Sequence, residues 1–97
     1  MVSRSSQVKY LIAEASEKVG VTQSYLIHCV RSQWVSPVEP VQVQFDEEDL
    51  ARVRLIHELQ VDFGVNDEGV SIILHLLDQL YGIHDQLHQM AEQKNKL

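Results

Sequence analysis

The stretch FDEEDLARVRLIHELQVDFGVNDEGVSIILHLLDQL, residues 45–80, reads as a helix, a sharp break and the start of a longer helix. Asp46 is placed to cap the first helix. Asp49, three positions on, supplies the acid of a capping box, and Phe45 and Leu50 flank it as a hydrophobic staple. Apolar residues then recur at Leu50, Val53 and Ile56 and again at Leu55, Leu59 and Phe63, while Glu47, Glu48, Arg54, Glu58 and Asp62 take other faces. Gly64 stops this helix, and Asn66 or Asp67 can cap the next. These signals predict a third helix over 46–64 and a long C-terminal helix over 67–95.

The long helix carries two overlapping patterns. Val70, Ile73, Leu74, Leu77 and Tyr81 form a broad apolar face. Ile73, Leu76, Leu80, Ile83, Leu87 and Met90, succeeded by Lys94 and Leu97, form a narrower one whose gaps alternate three and four, the spacing that lets two helices supercoil. Ile83, Leu87 and Met90 extend past what so small a body can cover, so the pattern predicts a homodimer through this helix. Gly82 weakens the helix by about 1 kcal/mol relative to alanine without having to break it.

Upstream, Lys9, Tyr10 and Leu11 either begin a short strand or lead straight into a helix, and residues 1–8 are given no role. Ile12, Ala15, Ser16 and Val19 have helical spacing, closed by Gly20. Thr22 or Ser24 can cap a second helix with Leu26, Val30 and Trp34 on its buried face, a spacing that favours Trp34 as a core anchor over an exposed hot spot. Two helices about a glycine turn make a helix-turn-helix. Ser36-Pro37 ends the second helix, and VEPVQVQF reads as a short hairpin or wing above Trp34, with Pro40 in its turn and Val41, Val43 and Phe45 alternating with glutamines. No linker or repeat divides the chain. The expected fold is mainly α: a single domain over 1–97, with a winged helix-turn-helix and short β wing over 10–45, then the third helix and the coiled-coil-like C-terminal helix.

With one cysteine, Cys29, no internal disulfide can form, and nothing in 97 residues resembles a membrane span or a secretory signal. A cytoplasmic setting is expected. Eight Lys and Arg against 14 Asp and Glu give a net charge of -6, which opposes a phosphate backbone and favours a basic partner.

GVTQSYLIHCVRSQWVSP, residues 20–37, continued by a short wing and by residues 45–80, resembles the MerR-type winged helix. Within that superfamily the chain is most similar to the chaperone-modulator protein CbpM family, over roughly residues 10–90. The specific part is RVRLIHELQVDFG joined to GVSIILHLLDQL, which is similar to the family's RLRxEL, LD-aromatic-G and apolar helix with Met-Asp; here Leu77-Asp78 stands in the last position. The extra residues Val65 to Glu68 are closer to the GVN-x-x-GV turn of heat-shock-type MerR repressors. The CbpM resemblance implies a protein that binds the J-domain of a DnaJ-like co-chaperone of the CbpA type and suppresses its work with Hsp70. The broader resemblance implies a dimeric DNA-binding regulator.

Individual residues favour the first. MerR recognition helices resemble TLRYYE-x-x-GL-x-x-P; laid on Tyr25 to Pro37, the Arg becomes Ile27, the aromatic pair becomes His28 and Cys29, and the Gly becomes Gln33. The wing's phosphate-contacting Arg becomes Val43, and only the final aromatic, Phe45, is kept. Arg31 is the sole Lys or Arg from Val19 to Ala51, whereas a firm grip on DNA takes roughly six to ten phosphate contacts. J-domains, as the resemblance implies, carry a basic surface on their second helix. The acids placed to meet it are Glu47, Glu58 and Asp62 on the third helix and Asp67 and Glu68 at the break, although such residues are ordinarily a solvated helix face, and Glu48 and Arg52 are spaced as a local ion pair.

No enzyme or cofactor chemistry is expected. His84 and His88 lie one helical turn apart, but two ligands without a third make no metal site. His28 and Cys29 are adjacent and diverge by about 100° on a helix, so they cannot serve each other as base and nucleophile, and no phosphate loop is present. Cys29 fits as a small core residue.

Overall fold

Tyr10–Leu11 (β1) opens the fold as a strand rather than as the start of a helix, pairing antiparallel with Gln44–Phe45 (β2) so that Tyr10 faces Phe45 and Leu11 faces Gln44. The structure is a computed structural model that describes residues 8–95, without the side chains of residues 84, 85 and 92–95. The stretch 1–7, the side chain of the seam position Lys94 and the seam position Leu97 lie outside what it describes.

Ile12–Val19 (α1) ends at Gly20, whose φ of 86° turns the chain so that the N–H groups of Gly20 and Val21 both donate to the Ser16 carbonyl, at 2.9 and 3.0 Å. Gln23–Arg31 (α2) starts one turn later. Thr22, not Ser24, is its cap, accepting the Tyr25 N–H at 3.0 Å. Ala15, Leu26, Cys29 and Trp34 are buried, and Val30 is half-buried.

The wing differs from the alternating hairpin expected from VEPVQVQF. Residues 40–43 are all turn, closed by the Glu39–Gln44 bridge, and Val43 takes a φ of 47°. Val41 is therefore 89% exposed and Val43 only half-buried, leaving Phe45 as the one buried residue of the supposed alternation. The strand that β2 needs comes from β1, because four residues spent on a turn leave too little wing to pair with itself.

Glu47–Val61 (α3) begins with the expected capping box. Asp49 N–H donates to Asp46 Oδ1 at 2.9 Å, and Asp46 N–H donates to Asp49 Oδ2 at 3.1 Å. The same Asp49 oxygen accepts the Val38 N–H at 3.1 Å, tying the wing to the helix start. Phe45, Leu50, Val53 and Ile56 are fully buried. The second row is not core: Leu55 and Phe63 are exposed, and Leu59 is half-buried. Gly64, φ 67°, ends the segment, and Val65 N–H returns to the Leu59 carbonyl at 3.0 Å.

Asp67–Asn95 (α4) is 29 residues long. Asn66 is its cap, its Oδ1 accepting Gly69 N–H at 2.8 Å and its carbonyl accepting Val70 N–H at 2.9 Å. Of the broad face, Val70 and Leu74 are buried, Ile73 and Leu77 half-buried, and Tyr81 exposed. The chain falls into two compact units, Met1–Val65 and Asn66–Leu97. Among the described residues no helix is long and apolar enough to cross a membrane.

Asp49→Ala removes the acceptor for two backbone donors at once and is expected to lower stability by about 1–2 kcal/mol in urea unfolding. Gly64→Ala meets no atom but forces a side chain into a left-handed backbone, a loss of about 1–2 kcal/mol, whereas Gly82→Ala in the open interior of α4 gains about 1 kcal/mol.

Candidate functional site

α2 and the wing turn present the surface that a helix-turn-helix ordinarily turns toward its target. Its composition here depends on where α2 puts each residue. Cys29 faces the core with no exposure, and His28 meets the Trp34 ring edge-on, centroids 5.2 Å apart at 84°. Ile27 remains partly exposed beside them. Trp34 is buried as expected, and Arg52 on α3 donates Nε to its carbonyl, so that guanidinium serves the loop after α2. Gln33 has a φ of 62°, so the backbone keeps the left-handed step for which glycine is the natural residue while the side chain has changed. Nearby lysines are already matched. Lys9 lies 3.7 Å from Glu39, and Lys18 lies 4.0 Å from Glu47 and 4.9 Å above the Tyr10 ring.

Between the start of α1, the outer side of α2 and the wing turn lies an apolar cleft of about 190 Å³. Ile12, Leu26, Ile27, Val30 and Phe45 form its walls together with Val43, and Arg31 is the one charged residue lining it. Sequence reasoning did not find this cleft, because three segments build it. The signal present was Ile27, an apolar residue on α2 off the face that Leu26 and Cys29 bury.

The five candidate acids are all exposed, and the three on α3 do not make one continuous patch. On α3, Glu47, Glu58 and Asp62 fall within about 60° of one another at 100° per residue, but Glu47 is about 16 Å from Glu58 along the axis and Arg54 falls in the same stripe between them. Glu47 is also engaged, accepting the Tyr10 hydroxyl at 2.5 Å. Glu58 and Asp62 are different. They occupy the C-terminal turn of α3, where no basic residue offsets the negative end of the helix dipole. Asp67 and Glu68 stand in the first turn of α4, in the other compact unit.

Along α4, Leu76, Leu80, Ile83, Leu87 and Met90 are each between 55% and 61% exposed, and Ile73 is half-buried. Ile72, also exposed, stands one turn before Leu76 and extends the row at its start, a position that the three-four spacing skipped. Among the described residues no group of three or more His, Cys, Asp or Glu is arranged to hold a metal ion, and the His84 side chain of the His84/His88 pair lies outside them.

A short two-stranded sheet, a helix-turn-helix with a wing turn, a capped third helix and a long C-terminal helix define a winged helix-turn-helix protein of regulatory type. The chain belongs to the MerR HTH family regulatory proteins, whose family model matches residues 10–92. No curated protein matches the sequence.

The left-handed Gln33 gives a direct check on how far the backbone is held to this family's geometry. Gln33→Val, β-branched at positive φ, is expected to cost at least about 1 kcal/mol in thermal or urea unfolding, and Gln33→Gly to cost less than half of that.

Proposed function

We propose that the chain is a non-enzymatic modulator that inhibits a DnaJ-like co-chaperone of the CbpA type by binding its J-domain in the cytoplasm. The observation that carries this reading is the α2 and wing surface, which offers one arginine and an apolar cleft where a DNA reader needs a field of basic residues. Glu58 and Asp62 at the uncompensated end of α3 are the acids best placed to meet a basic J-domain helix, with Asp67 and Glu68 as further candidates and Glu47 the weakest because Tyr10 and Lys18 already hold it. A MerR-type DNA-binding regulator is the second reading, favoured by the family match and by the GVN-x-x-GV turn at 64–70.

Titrating the purified chain with the J-domain at about 50 and 500 mM salt is expected to show binding that weakens as the Debye length shrinks. Glu58→Lys with Asp62→Lys should weaken it further at low salt. Absence of binding at either salt, together with retention of a promoter duplex whose affinity falls steeply with salt, would transfer the function to the second reading.

A homodimer through α4 belongs to the same proposal, because Leu76, Leu80, Ile83, Leu87 and Met90 form an uncovered apolar row. Sedimentation at micromolar concentration is expected to give a dimer, and Leu80→Lys with Leu87→Lys a monomer that keeps the J-domain-binding unit folded. A wild-type monomer at that concentration rejects the dimer.

A further inference from the structure

We infer that the cleft between α2 and the wing turn is a docking site for one bulky apolar side chain of a polypeptide partner, with a carboxylate beside that side chain held by Arg31. This deepens the protein-binding reading and rests on it, while assigning the contact to residues other than the candidate acids.

Size limits the occupant first. Cavities that enclose a drug-sized ligand run to roughly 300–1,000 Å³, and this one offers about 190 Å³, room for a single large side chain. Wall chemistry comes next. Ile12, Leu26, Ile27, Val30, Val43 and Phe45 present no carboxylate and no side-chain hydrogen-bonding group, so a polar occupant would lose its hydration without replacement. A buried aliphatic or aromatic anchor in a preformed pocket is the arrangement that concentrates binding energy in protein interfaces.

Arg31 then fixes the charge. It is the last residue of α2, it lines the cleft, and its side chain makes no hydrogen bond or ion pair among the described residues, whereas Lys9, Lys18 and Arg52 all have partners. On a chain of net charge -6 it is an isolated positive point, complementary to a carboxylate. A nucleic-acid backbone would meet the same arginine but would bring a row of phosphates against apolar walls, with no second cation in the cleft to receive them. A polypeptide offering an apolar anchor next to Asp or Glu satisfies both parts.

The test uses the full chain and three capped tetrapeptides, Ala-Phe-Glu-Ala, Ala-Phe-Lys-Ala and Ala-Ala-Glu-Ala, monitored by methyl NMR. The first is expected to shift the methyl resonances of Ile12, Ile27, Val30 and Val43 at millimolar concentration, the second to bind about two- to fivefold more weakly, as an exposed ion pair would dictate, and the third to leave them unmoved. Arg31→Glu, an exposed position, should reverse the order of the first two. Equal shifts from all three peptides, shifts confined to α4, or an unchanged order in the Arg31→Glu protein would overturn the proposal. So would octanoate shifting these methyls where the Phe-Glu peptide does not, which would reassign the cleft to a small amphiphile. Peptide binding without J-domain binding keeps the cleft and removes the chaperone reading. J-domain binding that Arg31→Glu leaves unchanged, with no response to peptide, removes the cleft alone.

Discussion

Two buried aspartates hold the first unit together. Asp46 and Asp49 exchange backbone and side-chain hydrogen bonds at the start of α3, and Asp49 reaches a third donor, Val38, in the segment leading to the wing turn. A carboxylate this deeply buried, 1% and 3% exposed for the two residues, is tolerable only because orphan N–H groups of a helix start and the positive end of its dipole surround it. Phe45, immediately before the cap, is fully buried and belongs to β2, so the same few residues fix the sheet, the wing and the direction of α3. The cleft owes one wall to Phe45 and another to Val43, and it inherits its shape from this anchor.

A fold can keep its geometry after its surface chemistry has changed. Gln33 still takes the left-handed step after α2, and Val43 holds a positive φ that a β-branched residue adopts only at a cost. Both are positions where a side chain other than glycine is held in a left-handed backbone. The neighbouring side chains are engaged locally. Cys29 lies in the core, His28 stays exposed while resting edge-on against Trp34, and half-buried Arg52 donates to the Trp34 carbonyl. On the surface left outside, polar Gln23, Ser24, His28 and Gln42 stand beside apolar Ile27 and Val41, with Arg31 the one guanidinium among them.

Helix starts, helix stops and the helix-turn-helix were legible in the sequence because each has a local chemical cause: Thr22, the Asp46–Asp49 box, Asn66, Gly20 and Gly64 act on backbone within four residues of themselves. Cys29 and Trp34 are buried as expected. Trp34, however, reaches the core from the loop after α2, which stops at Arg31 well before Ser36-Pro37, and not from the helix face on which its spacing had placed it. The wing was misread because alternation of valine and glutamine describes an extended strand, and nothing local to Val41 or Val43 announces that both belong to a turn whose partner strand lies more than thirty residues away at Tyr10–Leu11. The row Leu55, Leu59, Phe63 failed for a related reason, since periodicity marks an apolar face without saying that anything covers it. The cleft could not be read at all: its walls come from α1, α2 and the wing, and only the folded chain brings them together.

α4 poses an energetic problem of its own. At 1.5 Å per residue its 29 residues span about 43 Å, yet among the described residues only Val70 and Leu74 near its start are buried. Helices in water draw most of their stability from packing an apolar face, and soluble monomers rarely leave a contiguous apolar patch beyond a few hundred Å² uncovered. The row from Ile72 to Met90 is exposed along its length, and Gly82 in its middle lowers the helix's own propensity by about 1 kcal/mol. With a second chain covering the row, association and the helicity of the far half of α4 would be one equilibrium, dependent on protein concentration. The cleft has no such dependence, because every residue that lines it lies between Ile12 and Phe45 in the first unit. A partner docking there would bind a surface already formed in the single chain.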